Sequence, residues 1–304
     1  MIIEVENLVK VFNGKVVVNQ VSFSSEKPEI IGLLGANGAG KSTTLKILAG
    51  YIRPSSGTAN ILGMNVEAHT LEVKKITGYL PESNPLYSHM YVREFLQFIA
   101  QLHQIPNRRQ RVEEVIEMTG LPEVAGKVIS TLSKGFKQRT GIAQALVHDP
   151  KILILDEPTS GLDAHQILVI RELIQNLGKS KTILFSSHIM QEIESLCHRV
   201  MIIHEGKLLH DNTIESIKNL ETQSSEIIME LENPSHNLQA YSLLHPLMNI
   251  VPTNQNSYRI QIPDGYDIRP QIFKTAVSIG DVIIKIDIQK NSMESVFRKL
   301  TSKP

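Results

Sequence analysis

The stretch Gly35–Ser42 reads GANGAGKS and constrains this chain more than any other segment. It fits G-x-x-x-x-G-K-[ST] without a gap, between the apolar, strand-length EIIGLL and the helix-forming STTLKILA. Glycines at 35, 38 and 40 let the backbone turn tightly, so that its N–H groups face phosphate oxygens. The helix that starts near Lys41 adds the positive end of its dipole. Lys41 is placed to neutralise the β- and γ-phosphates, and the Ser42 hydroxyl to meet Mg²⁺. The nucleotide-binding set is therefore Gly35, Ala36, Asn37, Gly38, Ala39, Gly40, Lys41, Ser42 and Thr43. The loop fixes a nucleoside triphosphate and a strand–loop–helix unit. The sequence contains no N-K-x-D guanine-reading motif, which favours ATP over GTP.

The second anchor is ILILDEPTSGLD. Residues Ile152 to Leu155 are apolar and strand-length, as in a strand buried on both faces of a parallel sheet. Asp156 and Glu157 stand at the carboxyl end, where ligands bind in open α/β sheets. Asp156 is placed to hold Mg²⁺. Glu157 points the other way along the pleat and is suited to orient or deprotonate an attacking water. His188 follows the next strand, TILFSS, at the same sheet edge and is placed to donate to the γ-phosphate. A third segment, LSKGFKQR at 132–139, opens a helix with a serine, a glycine and cations, which is an anion site far in sequence from the phosphate loop.

Short apolar strands alternate with amphipathic helices on both sides of an insert at about 88–145, which reads as helical. There Val92, Phe95, Leu96 and Ile99 recur at three- and four-residue steps. Arg108, Arg109 and Arg111 read as a solvated helix face. The composition shifts near ETQSS, residues 221–225, and the tail reads β-α-β-β-α-β, as in ferredoxin-like modules, with a closing helix SMESVFRKL. The expected domains are residues 1–220 and 221–304.

Lys+Arg and Asp+Glu both number 31, so no global basic field points to nucleic acid, and no nucleic-acid partner is expected. The one cysteine, Cys197, has no internal disulfide partner, which is consistent with a cytosolic protein. No run approaches 18 apolar residues, so work at a membrane requires a separate spanning partner.

Taken in order, these segments resemble the ATP-binding cassette (ABC) ATPases. GANGAGKST resembles their Walker A, LSKGFKQR the signature, ILILDEP Walker B, SGLD the D-loop and SSH the H-loop. The resemblance runs from residue 2 to about 218. It implies an α/β fold: a P-loop NTPase ABC core with an antiparallel β subdomain and a helical subdomain, followed by a small α+β C-terminal domain. Within the family the chain is similar to ATP-binding subunits of drug- and polysaccharide-type (ABC-2) exporters, and among these to the gliding-motility-associated group.

By position, the resemblance implies that Phe12 stacks on adenine, Ser133, Lys134 and Gly135 meet the γ-phosphate held by another copy, and Asp163 lies across a subunit interface. Two positions depart from the family pattern. Glu82 stands where the Q-loop glutamine is usual, and remains a hard oxygen ligand for Mg²⁺. In the signature, Lys134 and Phe136 replace a glycine and a glutamine. The implied partners are a second copy, or a related cassette, in an ATP-sandwich dimer and a separate transmembrane permease at the inner face of the membrane. The implied activity is transport-coupled ATP hydrolysis, with ATP and Mg²⁺ as cofactors. The rival reading is a soluble regulatory ATPase that binds ATP without transport. Ribosome-acting relatives carry two cassettes and chromosome ATPases a long coiled coil; this chain has one Walker A and no long heptad run.

Overall fold

The structure is a computed structural model, and it describes residues 1–217, 224–235, 237–244, 249–263 and 267–290. The chain divides into two compact units, Met1–Thr213 and Ile214–Pro304. The division falls a few residues before the composition shift, in front of Ile214 and Ile217, whose side chains are buried.

In the first unit an antiparallel sheet joins β1 (Ile3–Phe12), β2 (Lys15–Ser25), β4 (Ser56–Ile61) and β5 (Met64–Asn65) in the order β2-β1-β4-β5. The second sheet holds β3 (Ile30–Leu34), β6 (Thr77–Leu80), β7 (Ile152–Asp156), β8 (Thr182–Ser187), β9 (Arg199–His204) and β10 (Lys207–Thr213). Its order is β10-β9-β3-β8-β7-β6, parallel throughout except for the β9–β10 hairpin. Every residue of β3, β7 and β8 is buried, as expected of strands with both faces covered. The parallel arrangement brings the carboxyl ends of β3, β7 and β8 together. Leu34 pairs with Ser187, and Asp156 with Ser186, so the segments carrying Gly35, Glu157 and His188 emerge side by side.

Helices α1 (Lys41–Leu48), α2 (Thr70–Ile76), α6 (Ala164–Gly178) and α7 (Met190–Leu196) accompany this sheet. The insert forms α3 (Val92–Leu102), α4 (Arg108–Met118) and α5 (Lys134–Leu146). Val92, Phe95, Leu96 and Ile99 are buried on one face of α3, as their spacing requires. Arg111 departs from a purely solvated face. Its guanidinium donates to the carbonyls of Leu146 (2.9 Å) and Val147 (3.1 Å) and so caps the C-terminal end of α5.

In the second unit β11 (Ser224–Leu231), β12 (Asn249–Pro252), β13 (Ser257–Pro263) and β14 (Ile283–Lys290) form an antiparallel sheet in the order β12-β13-β11-β14. Helices Leu238–Ser242 and Arg269–Ile279 lie between strands, giving the β-α-β-β-α-β order. The alternating Ile227, Met229 and Leu231 of β11 face a core with Tyr241, Tyr258, Ile260 and Ile272. The closing helix expected over residues 292–300 lies outside the described residues.

Candidate functional site

The loop after β3 is shaped by close backbone approaches. Gly38 and Gly40 have φ of +81° and +104°, the left-handed region that side chains disfavour. A Cβ on Gly40 would stand 2.7 Å from the carbonyl oxygen of Val17, and one on Gly35 would overlap the carbonyl of Ile203. The loop is thus clamped between β2 and β9, two strands remote from it in sequence. Gly40 precedes α1 without a side-chain cap, and no acidic residue occupies the first turn, so the leading N–H groups of α1 are left for a ligand.

A cavity of about 350 Å³ opens over this loop. Its walls include Ala36 to Thr43, Glu82 from the turn after β6, Glu157 from the end of β7, and Val17 of β2. Lys41 Nζ donates to the Gly35 carbonyl at 2.7 Å and lies 3.2 Å from Glu157 Oε1, with both side chains buried. The Lys41–Glu157 contact is a charge pairing without hydrogen-bond alignment, since Oε1 has no hydrogen-bond partner. Glu157 Oε2 lies 2.8 Å from His188 Nδ1. Glu157 has φ +50°, uncommon for a residue with a Cβ, and its N–H donates to Ser186 Oγ at 2.8 Å.

Asp156 Oδ1 accepts from Ser42 Oγ (3.0 Å) and from Ser186 Oγ (2.7 Å), while Oδ2 is buried without a partner. Burial raises the pKa of this carboxyl, against the opposing pull of the two hydroxyls. An orphaned carboxylate oxygen beside a serine hydroxyl suits a small oxygen-seeking dication, which would supply the missing partner and favour the charged form. Ser42, Asp156 and Glu82 are the residues that would hold it. Nearby, burial and then the charge of Asp156 also push the Tyr79 phenol upward.

The sequence profile of the ABC transporter family matches residues 18–160. The bacitracin transport ATP-binding protein BcrA of Bacillus licheniformis is 35% identical over 303 residues, covering 98% of this chain and 97% of that protein. This chain belongs to the family of ABC transporter ATP-binding proteins. The ABC transporter ATP-binding protein NatA of Bacillus subtilis (strain 168) is 39% identical, covering 69% of this chain and 86% of its own length. A solved structure of the ATP-binding subunit of an ABC transporter superposes with a TM-score of 0.66 at 28% identity, over 72% of this chain and 93% of that one. The cassette is thus the ATP-binding and ATP-hydrolysing subunit of an ABC transporter. No helix among the described residues is long and apolar enough to cross a membrane.

The other cassette motifs stand outside this cavity wall. Ser133 caps α5, its Oγ accepting from the Phe136 N–H at 3.4 Å, and both Ser133 and Lys134 are exposed. The Lys134 ammonium is directed at Gly161 of the chain's own D-loop, and Gly135 sits against Gln166. Asp163 caps α6, accepting from the Gln166 N–H at 2.8 Å. Phe12 ends β1, 43% exposed, with Lys10 Nζ 4.9 Å from its ring centre, and it does not line the cavity. His188 is half-exposed and reaches the site through Glu157.

Sequence reasoning missed four contributors: Val17, Ser186, Asn84 and Glu192. Asn84 Nδ2 donates to the Lys137 carbonyl at 2.9 Å, tying the turn that carries Glu82 to the signature helix. Glu192 is buried and accepts from Thr159 Oγ1 and Ser187 Oγ. No sequence signal marks these contacts, because most of them join residues tens of positions apart.

Proposed function

We propose that this cassette powers a drug- or polysaccharide-type exporter. It would hydrolyse Mg²⁺-bound ATP in a head-to-tail dimer that acts on a separate transmembrane partner. One observation carries the nucleotide chemistry: Lys41, Ser42 and Glu157 line a single cavity with the phosphate loop, Asp156 is bonded to Ser42, and the half-exposed His188 is bonded to Glu157. In this reading Lys41 leaves Glu157 for the β- and γ-phosphates. Ser42, Asp156 and Glu82 hold the cation, Glu157 activates water, and His188 donates to the γ-phosphate. The exposed Ser133 and Lys134, with Gly135, serve the ATP bound by the other copy, and Asp163 faces that interface.

Phe12 stacks on adenine from the rim, a role its exposed ring permits. The exporter assignment is supported by full-length similarity to a subunit named for bacitracin transport. The gliding-motility branch is a finer reading that rests on the sequence resemblance. The domain over residues 221–304 is read as an accessory module for dimer contact, regulation or partner binding.

The test is steady-state phosphate release with and without Mg²⁺, combined with gel filtration of Glu157→Gln in ATP. Mg²⁺-dependent turnover, and an ATP-bound dimer in the variant, are expected. Turnover independent of Mg²⁺, or a variant that stays monomeric in saturating ATP, sinks the scheme.

A further inference from the structure

The loops that carry Glu157 and His188 share one buried post. Glu192, on α7, is 2% exposed, and its Oε2 accepts from Thr159 Oγ1 at 2.8 Å and from Ser187 Oγ at 2.7 Å. Ser187 Oγ in turn accepts from the Ile189 N–H at 3.0 Å, so the backbone on both sides of His188 is pinned. Thr159 lies two residues after Glu157, and the Ser160 N–H returns to the Glu157 carbonyl at 3.1 Å. The post itself is fixed. Ile193 of α7 packs onto β3 at Gly32, where a Cβ would stand 2.7 Å from Ile193 Cδ1.

From this geometry we infer that Glu192 is a positioning residue for ATP hydrolysis, holding the Glu157 and His188 loops at the separation that gives their 2.8 Å contact. Two features call for such a post. Glu157 has φ +50°, a conformation that persists only where its surroundings over-determine it. His188 follows the end of β8 and is half-exposed, so its own packing does not fix it. A carboxylate is costly to bury and is retained here against hydroxyl donors that an apolar cluster of similar shape would replace at little cost to stability. Thr159, Ser187 and Glu192 themselves do not line the cavity, so their effect falls more on turnover than on nucleotide binding. The inference rests on the proposed roles of Glu157 and His188.

The experiment uses the full chain. The triple variant Thr159→Val, Ser187→Ala, Glu192→Leu exchanges the whole network for apolar groups. It is expected to melt near the wild-type temperature and bind ATP within about threefold, while kcat falls roughly 10–100-fold, the scale of a small misplacement of reacting groups. Wild-type kcat in a folded triple variant overturns the inference.

Ser187→Ala alone, made also in a His188→Ala background, gives a second and milder reading. It should lower kcat in the wild-type background and add no further loss without the histidine, because the two act as a unit. An equal fold-loss in both backgrounds overturns the inference. Glu157→Gln separates the two levels. If that variant turns over normally, the site reading fails; if it is inactive while the network variants are not, only the role of Glu192 fails.

Discussion

Glu157→Gln tests more than general-base chemistry, because the structure gives Glu157 a second task. Without nucleotide its carboxylate neutralises Lys41, 3.2 Å away, and both side chains are at least nine-tenths buried. At an effective dielectric of about 20 this pairing is worth about 5 kcal/mol gross. Removing one partner of a buried pair costs on the order of 3–5 kcal/mol. The lower end applies here, since Lys41 keeps the Gly35 carbonyl at 2.7 Å. The variant should therefore lose about 3 kcal/mol of stability without nucleotide. ATP brings its own negative charge to Lys41, so the loss is recovered on binding. ATP affinity should then rise by the same ~3 kcal/mol, roughly 100-fold, since no ion pair has to break. Turnover should fall by roughly 10²–10⁴-fold.

The chain has no tryptophan, so urea unfolding is best followed by far-ultraviolet circular dichroism, beside ATP titration and phosphate release. Wild-type turnover would remove Glu157 from the chemistry. Unchanged unliganded stability together with weaker ATP binding would refute the exchange of partners at Lys41.

Two further outcomes follow from other contacts. Gly40→Ala places a Cβ 2.7 Å from the Val17 carbonyl at φ +104°, so it should cost about 2–4 kcal/mol in thermal melts and abolish ATP binding; a variant that binds ATP normally refutes the clamp between β2 and the loop. His148 stacks on His103 with ring centres 4.2 Å apart, its Nε2 donates to the Thr77 carbonyl, and burial pushes its pKa down to about 4. Between that value and the ordinary histidine range near 6.5 the unfolded chain binds a proton that the folded chain does not, so stability falls as pH drops through this window. The loss approaches ~3 kcal/mol by pH 4, and His148→Leu should flatten that limb of a stability–pH curve; an unchanged limb removes His148 as its source.

Much of the fold is visible in periodicity. The four-residue apolar face of α3, the fully apolar strands at Ile30–Leu34 and Ile152–Leu155, and the alternating Ile227, Met229 and Leu231 each declare their element, because burial acts on side chains at fixed local spacing. Arg111 shows the limit. Its helix is legible, yet its role as a cap for α5 depends on a carbonyl 35 residues away. Phe12 shows another: its place in the motif order is plain, but its exposure and its position outside the cavity lining depend on how the β1–β2 ribbon folds.

By itself the sequence determined the phosphate loop, the carboxylate pair and the order of elements, since these depend on residue types within a few positions of one another. The tertiary structure decided which groups meet. It set Lys41 against Glu157, Glu157 against His188, Ser42 against Asp156, and the loops carrying Glu157 and His188 on Glu192. The reason is physical. Parallel strands deliver their carboxyl ends to one edge whatever their separation along the chain, and hydrogen bonds form there between neighbours in space that share no local pattern.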